Sequence, residues 1–388
     1  MRFLADEGDK DAVAFFLQAN KIRPLAPPPA ASTPSVRRDG DLRVGFLSPS
    51  LTSPGGAEEW IRALVSCPTP GIHWSGVAVA GDVWDEDFVR KVSKSCPIVI
   101  GSDVETFAHN VDVLVSWGIP QPRQRLGTAR PYLVSVAHGS CKFTTALLAG
   151  AEQWADRRTA VSRAAAEAYP DGSEGVEVLW NGADPRRVFW TDGRDKTREA
   201  WRIQPREIAV GYIGRLAWNK NPTAISKACL ALGRGYRPVY VGSGGNEDKV
   251  RESGYRLTPD AVFPGFVETP GDALEALDVF ILASPAEGFS LGLIEAWLSG
   301  TPAIATRVGA VPELEEEFGP LVIPVPINPT RSDLAEAVRI ALSEEGAELA
   351  ENARSVAIKH LTQEAMVDRW GDFLRGIRSD SPPDVPGR

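Results

Sequence analysis

Between Asp278 and Leu314 the chain reads DVFILASPAEGFSLGLIEAWLSGTPAIATRVGAVPEL, and this stretch leaves the fold few choices. Val279 to Ala283 is a short apolar run, which suits a strand buried on both faces of a parallel sheet. Ser284 to Phe289 is a loop punctuated by Pro285 and Gly288, and it carries one carboxylate, Glu287. Ser290 then stands as N-cap to a helix predicted over Leu291 to Leu298. Gly300, Thr301 and Pro302 stop that helix, and Ala303 to Thr306 opens the next strand. Strand, loop, helix and strand in this succession imply an α/β sheet with parallel strands.

The junction at Ser290 has a definite chemistry. A helix N-terminus presents unpaired N–H groups at the positive end of the helix dipole, and so it binds anions, phosphate above all. The donors here lie near Gly288, Phe289, Ser290 and Leu291, and Gly288 lets the backbone approach a ligand closely. Position 293 is Leu, so no capping-box carboxylate competes for them. Two glutamates bracket the junction, Glu287 in the loop and Glu295 in the helix. Either would repel a phosphate, but both suit neutral hydroxyls on either side of one, as sugars supply.

Glu287-Gly-Phe-Ser-Leu-Gly-Leu-Ile-Glu295-Ala, followed by Ser299-Gly-Thr-Pro-Ala and Gly309-Ala-Val-Pro-Glu313, resembles the E-x7-E signature of retaining glycosyltransferases of family 4. Those enzymes have the GT-B architecture. The fold class this implies is α/β: two Rossmann-like domains facing across a cleft, with an N-terminal extension and a C-terminal helix crossing back to the first domain.

Length and composition agree with two domains. A chain of 388 residues, 43% hydrophobic and 24% charged, is long enough for two sizeable cores and ordinary for a globular protein. A formal net charge of −9 argues against a nucleic-acid partner held through its phosphates. The four cysteines, Cys67, Cys96, Cys141 and Cys229, show neither CxxC nor Cys/His spacing, so neither zinc nor a disulfide framework is expected. No apolar run reaches membrane-spanning length, and the start MRFLADEGDKD is too acidic for a signal peptide. A cytoplasmic location is the expectation.

Taken in order, residues 1–40 form an extension, with a short amphipathic helix over Asp11 to Ile22 and a Pro/Ala linker from Pro24 to Val36. Residues 41–186 form the first Rossmann-like domain. It opens with the strand Arg43 to Ser48, a loop from Pro49 to Gly56, and a helix from Ala57 to about Cys67. Further strands are predicted at Ser75 to Ala80, Pro97 to Ile100, Val111 to Ser116, Tyr132 to Ala137, Arg158 to Val161 and Val176 to Leu179, with helices at Glu86 to Ser95 and Ala146 to Trp154. Asp112 reads as a residue that sets strand entry. His138 follows a strand's carboxyl end, where ligands of such sheets sit. Asn181-Gly-Ala-Asp184-Pro185 is a turn by composition.

Residues 187–362 form the second domain, with a short helix near Arg198 to Arg202 leading into it. After the strand Ile208 to Ile213 come Gly214, Arg215 and Lys220, two cations beyond a buried strand. Arg supplies a planar fork for phosphate oxygens and Lys a compact charge. Strands follow at Pro238 to Val241 and Ala261 to Phe263, and Glu315 to Glu317 reads as a solvated face. Residues 363–388 are a helix, Gln363 to Ile377, with a buried stripe of Met366, Trp370, Phe373 and Leu374, then a loose tail from Asp380.

The resemblance assigns roles to these positions. It implies that Glu295 holds ribose hydroxyls, Glu287 holds hydroxyls of the transferred sugar, and His138 lies beside that sugar. Arg215, Lys220 and the helix N-terminus would stabilise the diphosphate as charge develops on it. Gly242 and Gly214 would form small-residue turns near the nucleotide, Phe266 would meet the base, and Gly55 and Gly56 would belong to a loop facing the donor phosphates and the acceptor. The partners implied are a nucleoside diphosphate-sugar, UDP- or GDP-linked, and an acceptor of unread identity: small molecule, glycan or lipid. No DxD motif stands at a strand end, so no metal or other cofactor is expected. Competing readings are a nucleotide-sugar epimerase, which would need a carboxylate and histidine network not found here, and a non-catalytic sugar-nucleotide sensor or scaffold.

Overall fold

The computed structural model describes residues 38–52, 55–101, 103–189 and 191–379. The helix expected at Asp11 to Ile22, the Pro/Ala linker and the tail from Asp380 lie outside the described residues. The chain divides into two compact units. One runs to Gly182 and takes in Glu287–Phe289 and the segment from Thr362; the other holds Ala183–Ala286 and Ser290–Leu361. We refer to them as the N-terminal and C-terminal units.

The N-terminal unit is built on β1 (Leu42–Leu51), β2 (Ile72–Trp84), β3 (Ile98–Ile100), β4 (Val113–Ser116), β5 (Tyr132–Ala137), β6 (Arg157–Ala160) and β7 (Val176–Val178). They form one sheet in the order β3-β2-β1-β4-β5-β6-β7, and every neighbouring pair is parallel. β1 is longer than the sequence suggested, because it runs on through Pro49 to Leu51. Proline lacks an N–H, so a strand accommodates it where the ladder is interrupted. The register between β1 and β2 does shift between Ser48 and Ser50. The single helix expected at Ala146 to Trp154 is instead two, Lys142–Leu147 and Ala151–Trp154, parted at Gly150 with φ +73°. Asp112 does fix strand entry: its Oδ2 accepts from the Arg43 backbone N–H at 2.8 Å and its Oδ1 from the Arg43 guanidinium at 2.5 Å.

The core of this unit is aromatic. Phe46 meets Trp60 edge to face at 5.3 Å between ring centroids, and Trp60 meets Trp370 at 5.2 Å. Trp370 comes from the helix Gln363–Ser379, whose Met366, Trp370 and Leu374 are buried in the same cluster as Val44, Val113 and Val134. Gln363 Nε2 donates to the Ala63 carbonyl at 3.2 Å, and Arg369 donates to the Trp180 carbonyl at 2.9 Å. The last described helix therefore completes the core that the first strands began.

The C-terminal unit is built on β8 (Ile208–Ile213), β9 (Tyr236–Val241), β10 (Val262–Gly265), β11 (Val279–Leu282), β12 (Ala303–Thr306) and β13 (Ile323–Val325). Their order is β10-β9-β8-β11-β12-β13, again parallel throughout. Counted from β8 this is the 3-2-1-4-5-6 order of dinucleotide-binding sheets. Asp278 anchors the entry of β11. It is buried, accepts from the Ala209 N–H at 2.7 Å and from Arg198 Nη1 at 3.1 Å, and also pairs with Arg194. Glu315 departs from the solvated face expected of it. Its Oε2 pairs with Arg307 Nε at 2.7 Å, and its Oε1 accepts from the Leu321 N–H at 3.0 Å, satisfying backbone donors ahead of β13.

Candidate active site

In the C-terminal sheet the strand order reverses between β8 and β11, and at such a switch point a crevice opens beyond the strands' carboxyl ends. β8 runs out into Gly214 and Arg215, and β11 into Ser284. The two loops are tied together, for the buried Ser284 donates through Oγ to the Asn219 carbonyl at 3.0 Å. That bond holds the short 3-10 turn Trp218–Lys220 at the end of β11, and Asn221 closes the turn in the left-handed region at φ 47°. Arg215 is exposed and Lys220 half-buried. On the other side, the Leu216 N–H donates to the Ser243 carbonyl at 2.8 Å, which fixes the Arg215 backbone against the end of β9. Only glycine fits at 242: its φ is +132°, and a Cβ there would fall 2.0 Å from the Gly214 carbonyl oxygen.

The helix Leu291–Ser299 begins at the same place. Gly292 passes so close to the Ile213 carbonyl that a Cβ would come within 2.9 Å, so the first turn lies at the end of β8. Ser290 is the N-cap, its Oγ accepting from the Leu293 N–H at 3.4 Å while its carbonyl accepts from Ile294 at 3.2 Å. Among the described residues this leaves the N–H groups of Leu291 and Gly292 as the helix's unpaired donors. One turn on, Glu295 is buried at 8% exposure, and its Oε1 accepts from Arg187 Nε at 2.8 Å. Arg187 was not singled out in the sequence. Only the turn Asn181 to Pro185 just before it was marked, and a partner 108 residues away leaves no trace in local pattern. Phe266, directly after β10, is 50% exposed and available for stacking.

The remaining expected residues fall in the N-terminal unit. His138 follows β5, with its ring edge-on to Trp60 at 4.6 Å and Trp117 at 5.7 Å between centroids. Its Nε2 is closed off from solvent with no hydrogen-bond partner among the described residues, and burial pushes its pKa down to about 3. The imidazole is therefore neutral at physiological pH. The loop residues Glu287–Phe289 group with this unit: Ser140 Oγ donates to the Glu287 carbonyl at 2.9 Å, and a Cβ at Gly288 would fall 2.3 Å from the His138 carbonyl oxygen. Glu287 is buried, and Phe289 packs against the cluster containing Leu47 and Leu114. Gly55 is the N-cap of the helix Gly56–Val65 and makes no side-chain cap. The first turn of that helix carries Glu58, a buried carboxylate to which the sequence reading gave no role of its own, whose Oε1 accepts from Ser50 Oγ at 2.8 Å. Among the described residues no three His, Cys, Asp or Glu side chains cluster as metal ligands would, and no helix is long and apolar enough to cross a membrane.

Two parallel-sheet α/β units of this kind make the fold of the GT-B glycosyltransferase type. Residues 207–344 match the family model described as Glycosyl transferases group 1, and Arg215, Lys220, Glu287, Ser290 and Glu295 all lie within the matched residues. Over 216 residues the chain is 28% identical to D-inositol 3-phosphate glycosyltransferase of Rhodococcus erythropolis, covering 50% of this chain and 49% of the relative. Over 163 residues it is 30% identical to the GDP-mannose-dependent alpha-mannosyltransferase of Mycobacterium tuberculosis, covering 41% of each. The chain thus spans half or less of these two relatives' length. Among solved structures, Anabaena Alr3699/HepE in complex with UDP and glucose superposes with a TM-score of 0.73 at 21% identity, covering 86% of this chain and 99% of that one.

Proposed function

We propose that the protein is a retaining, metal-independent glycosyltransferase that moves a hexose from a nucleoside diphosphate-sugar, UDP- or GDP-linked, to a hydroxyl of a small-molecule, glycan or lipid acceptor. One observation carries the reading. The loop that bears Arg215 and Lys220 and the helix whose Leu291 and Gly292 N–H groups are unpaired among the described residues both start from the β8/β11 switch point of the C-terminal sheet. As the bond from the anomeric carbon to the diphosphate breaks, negative charge grows on the leaving oxygen. A guanidinium fork and an ammonium carried on held backbone, with a helix N-terminus beside them in the fold, would stabilise that charge.

Glu295 is assigned to the ribose hydroxyls, and Glu287 and His138 to hydroxyls of the transferred sugar. A neutral imidazole can accept or donate one hydrogen bond there without opposing the positive charge that develops at the anomeric carbon. Phe266 and the turns at Gly214 and Gly242 are assigned to the nucleoside side. The acceptor hydroxyl attacks on the face the diphosphate leaves and passes its proton to a departing phosphate oxygen, which keeps the anomeric configuration. The sugar-nucleotide named for one relative and the UDP held by a structural neighbour support this donor class.

Thermal unfolding in UDP, GDP, ADP, TDP and CDP, without added metal, tests the donor assignment. A nucleotide at about 100 times its Kd adds roughly 2.7 kcal/mol of stability. One nucleotide is expected to act, and its sugar conjugates then become substrates, with product anomers read by proton NMR. If none of the five stabilises the protein, the phosphate site is wrong.

A further inference from the structure

The turn at Asn181 to Pro185 stands out in the sequence, yet the chemistry above gives it no task. In the structure it leads into a 3-10 turn, Pro185–Val188, held from two sides. The buried Asp184 accepts through Oδ1 from the Arg186 backbone N–H at 2.9 Å and from Arg186 Nε at 2.7 Å. The Arg187 N–H donates to the Asp184 carbonyl at 3.0 Å. Behind the turn, a Cβ at Gly271 would fall 1.9 Å from the Phe189 carbonyl oxygen, so the segment is pressed onto the helix Gly271–Ala276. A backbone fixed this way aims the stem of Arg187. Its Nε reaches Glu295 Oε1 at 2.8 Å, with the two side chains 27% and 10% exposed.

A buried carboxylate is disfavoured unless an opposite charge and hydrogen bonds compensate it, and a glutamate side chain has several torsions to lose. An Arg partner supplies the charge and also fixes the plane of the carboxylate, because the guanidinium is itself planar. We infer that Arg187 is a positioning residue for the ribose-binding carboxylate. It sets the orientation in which Glu295 meets the nucleotide's ribose hydroxyls, so that discrimination between ribo- and deoxyribonucleotides depends on the Asp184–Val188 turn. The inference rests on the assignment of Glu295 to ribose made above. A merely structural Arg187 would change stability and leave the choice of nucleotide sugar untouched.

Calorimetric titration of the full chain with UDP and GDP, then with the 2′-deoxy and 3′-deoxy analogues of the tighter binder, reads the effect. The parent is expected to favour the ribonucleotide about tenfold or more over at least one analogue. Glu295→Gln removes most of that preference. Arg187→Gln brings it to within about twofold of the Glu295→Gln value, and combining the two changes adds nothing further. Arg187→Lys keeps the charge without the fork and lowers the ratio by a smaller factor; it decides the matter if the glutamine variant does not fold, and an unchanged ratio then overturns the inference. A preference abolished by Glu295→Gln but left at the parental level by Arg187→Gln overturns the inference and spares the ribose assignment. A preference indifferent to Glu295→Gln, or no binding of either nucleotide, overturns both.

Discussion

Arg215 and Lys220 stand on one loop after β8 with different chemistry: a planar fork on an exposed stem, and a point charge on a half-buried turn pinned by Ser284. Replacing either by Ala is expected to lower kcat about 10²–10³-fold with little change in thermal unfolding. Steady-state rates beside a melting curve decide it, and a loss of only a few-fold in both variants would remove the diphosphate role. His138 makes a prediction of another kind. Its folded pKa of about 3 lies below the ordinary 6.5, so above pH 6.5 neither state is charged and the residue contributes no pH dependence. Below pH 6.5 the unfolded chain takes up a proton that the folded one refuses, and stability falls until about pH 3. The loss is on the order of 2 kcal/mol by pH 5. His138→Phe should flatten the parent's stability profile between pH 6.5 and 4, as measured by urea unfolding; parallel profiles would refute the neutral imidazole. The positions of Arg215, Lys220 and Glu295 were legible because each sits at a fixed offset from a strand or cap. The neutrality of His138 was not, since it comes from Trp60 and Trp117, which pattern along the chain does not connect to it.

At the scale of elements, the junctions carry the specificity. Gly242 allows the end of β9 to run against the Gly214 carbonyl, at a φ that a side chain rarely adopts. Gly242→Ala is expected to lower stability by about 1–3 kcal/mol and to weaken nucleotide binding, since both the contact and the backbone angle are violated. An unshifted melting temperature would mean that β8 and β9 do not end as described. Strand cores such as β5, β8 and β12 could be read from the sequence to the residue, because an apolar run flanked by Gly, Pro or Asp has sharp edges. What escaped were irregularities decided by neighbours. Pro49 lies inside β1 because the β2 register shifts there, and Glu315 is turned inward because Leu321 and Val322 need an acceptor. Neither cause is local.

For the whole molecule, alternation of strands and helices was enough to foresee two parallel sheets, but not the strand orders, which depend on crossovers the sequence does not mark. The stripe on the last helix was foreseen as buried, and the structure gives its weight. Trp370, 1% exposed beside Trp60 and Phe373, should cost about 3–5 kcal/mol when changed to Ala, read by denaturant unfolding as loss of the N-terminal unit. A cost below 1 kcal/mol would show that the helix is dispensable there. That helix has a further consequence, in time rather than in space. The hydrogen bond from Gln363 to Ala63 joins residues 300 apart, and between them lies nearly all of the C-terminal unit. A ribosome therefore delivers the whole of the second sheet before the piece that closes the first. The half made first is finished last, and until then the face of Trp60 that Trp370 will cover stays open.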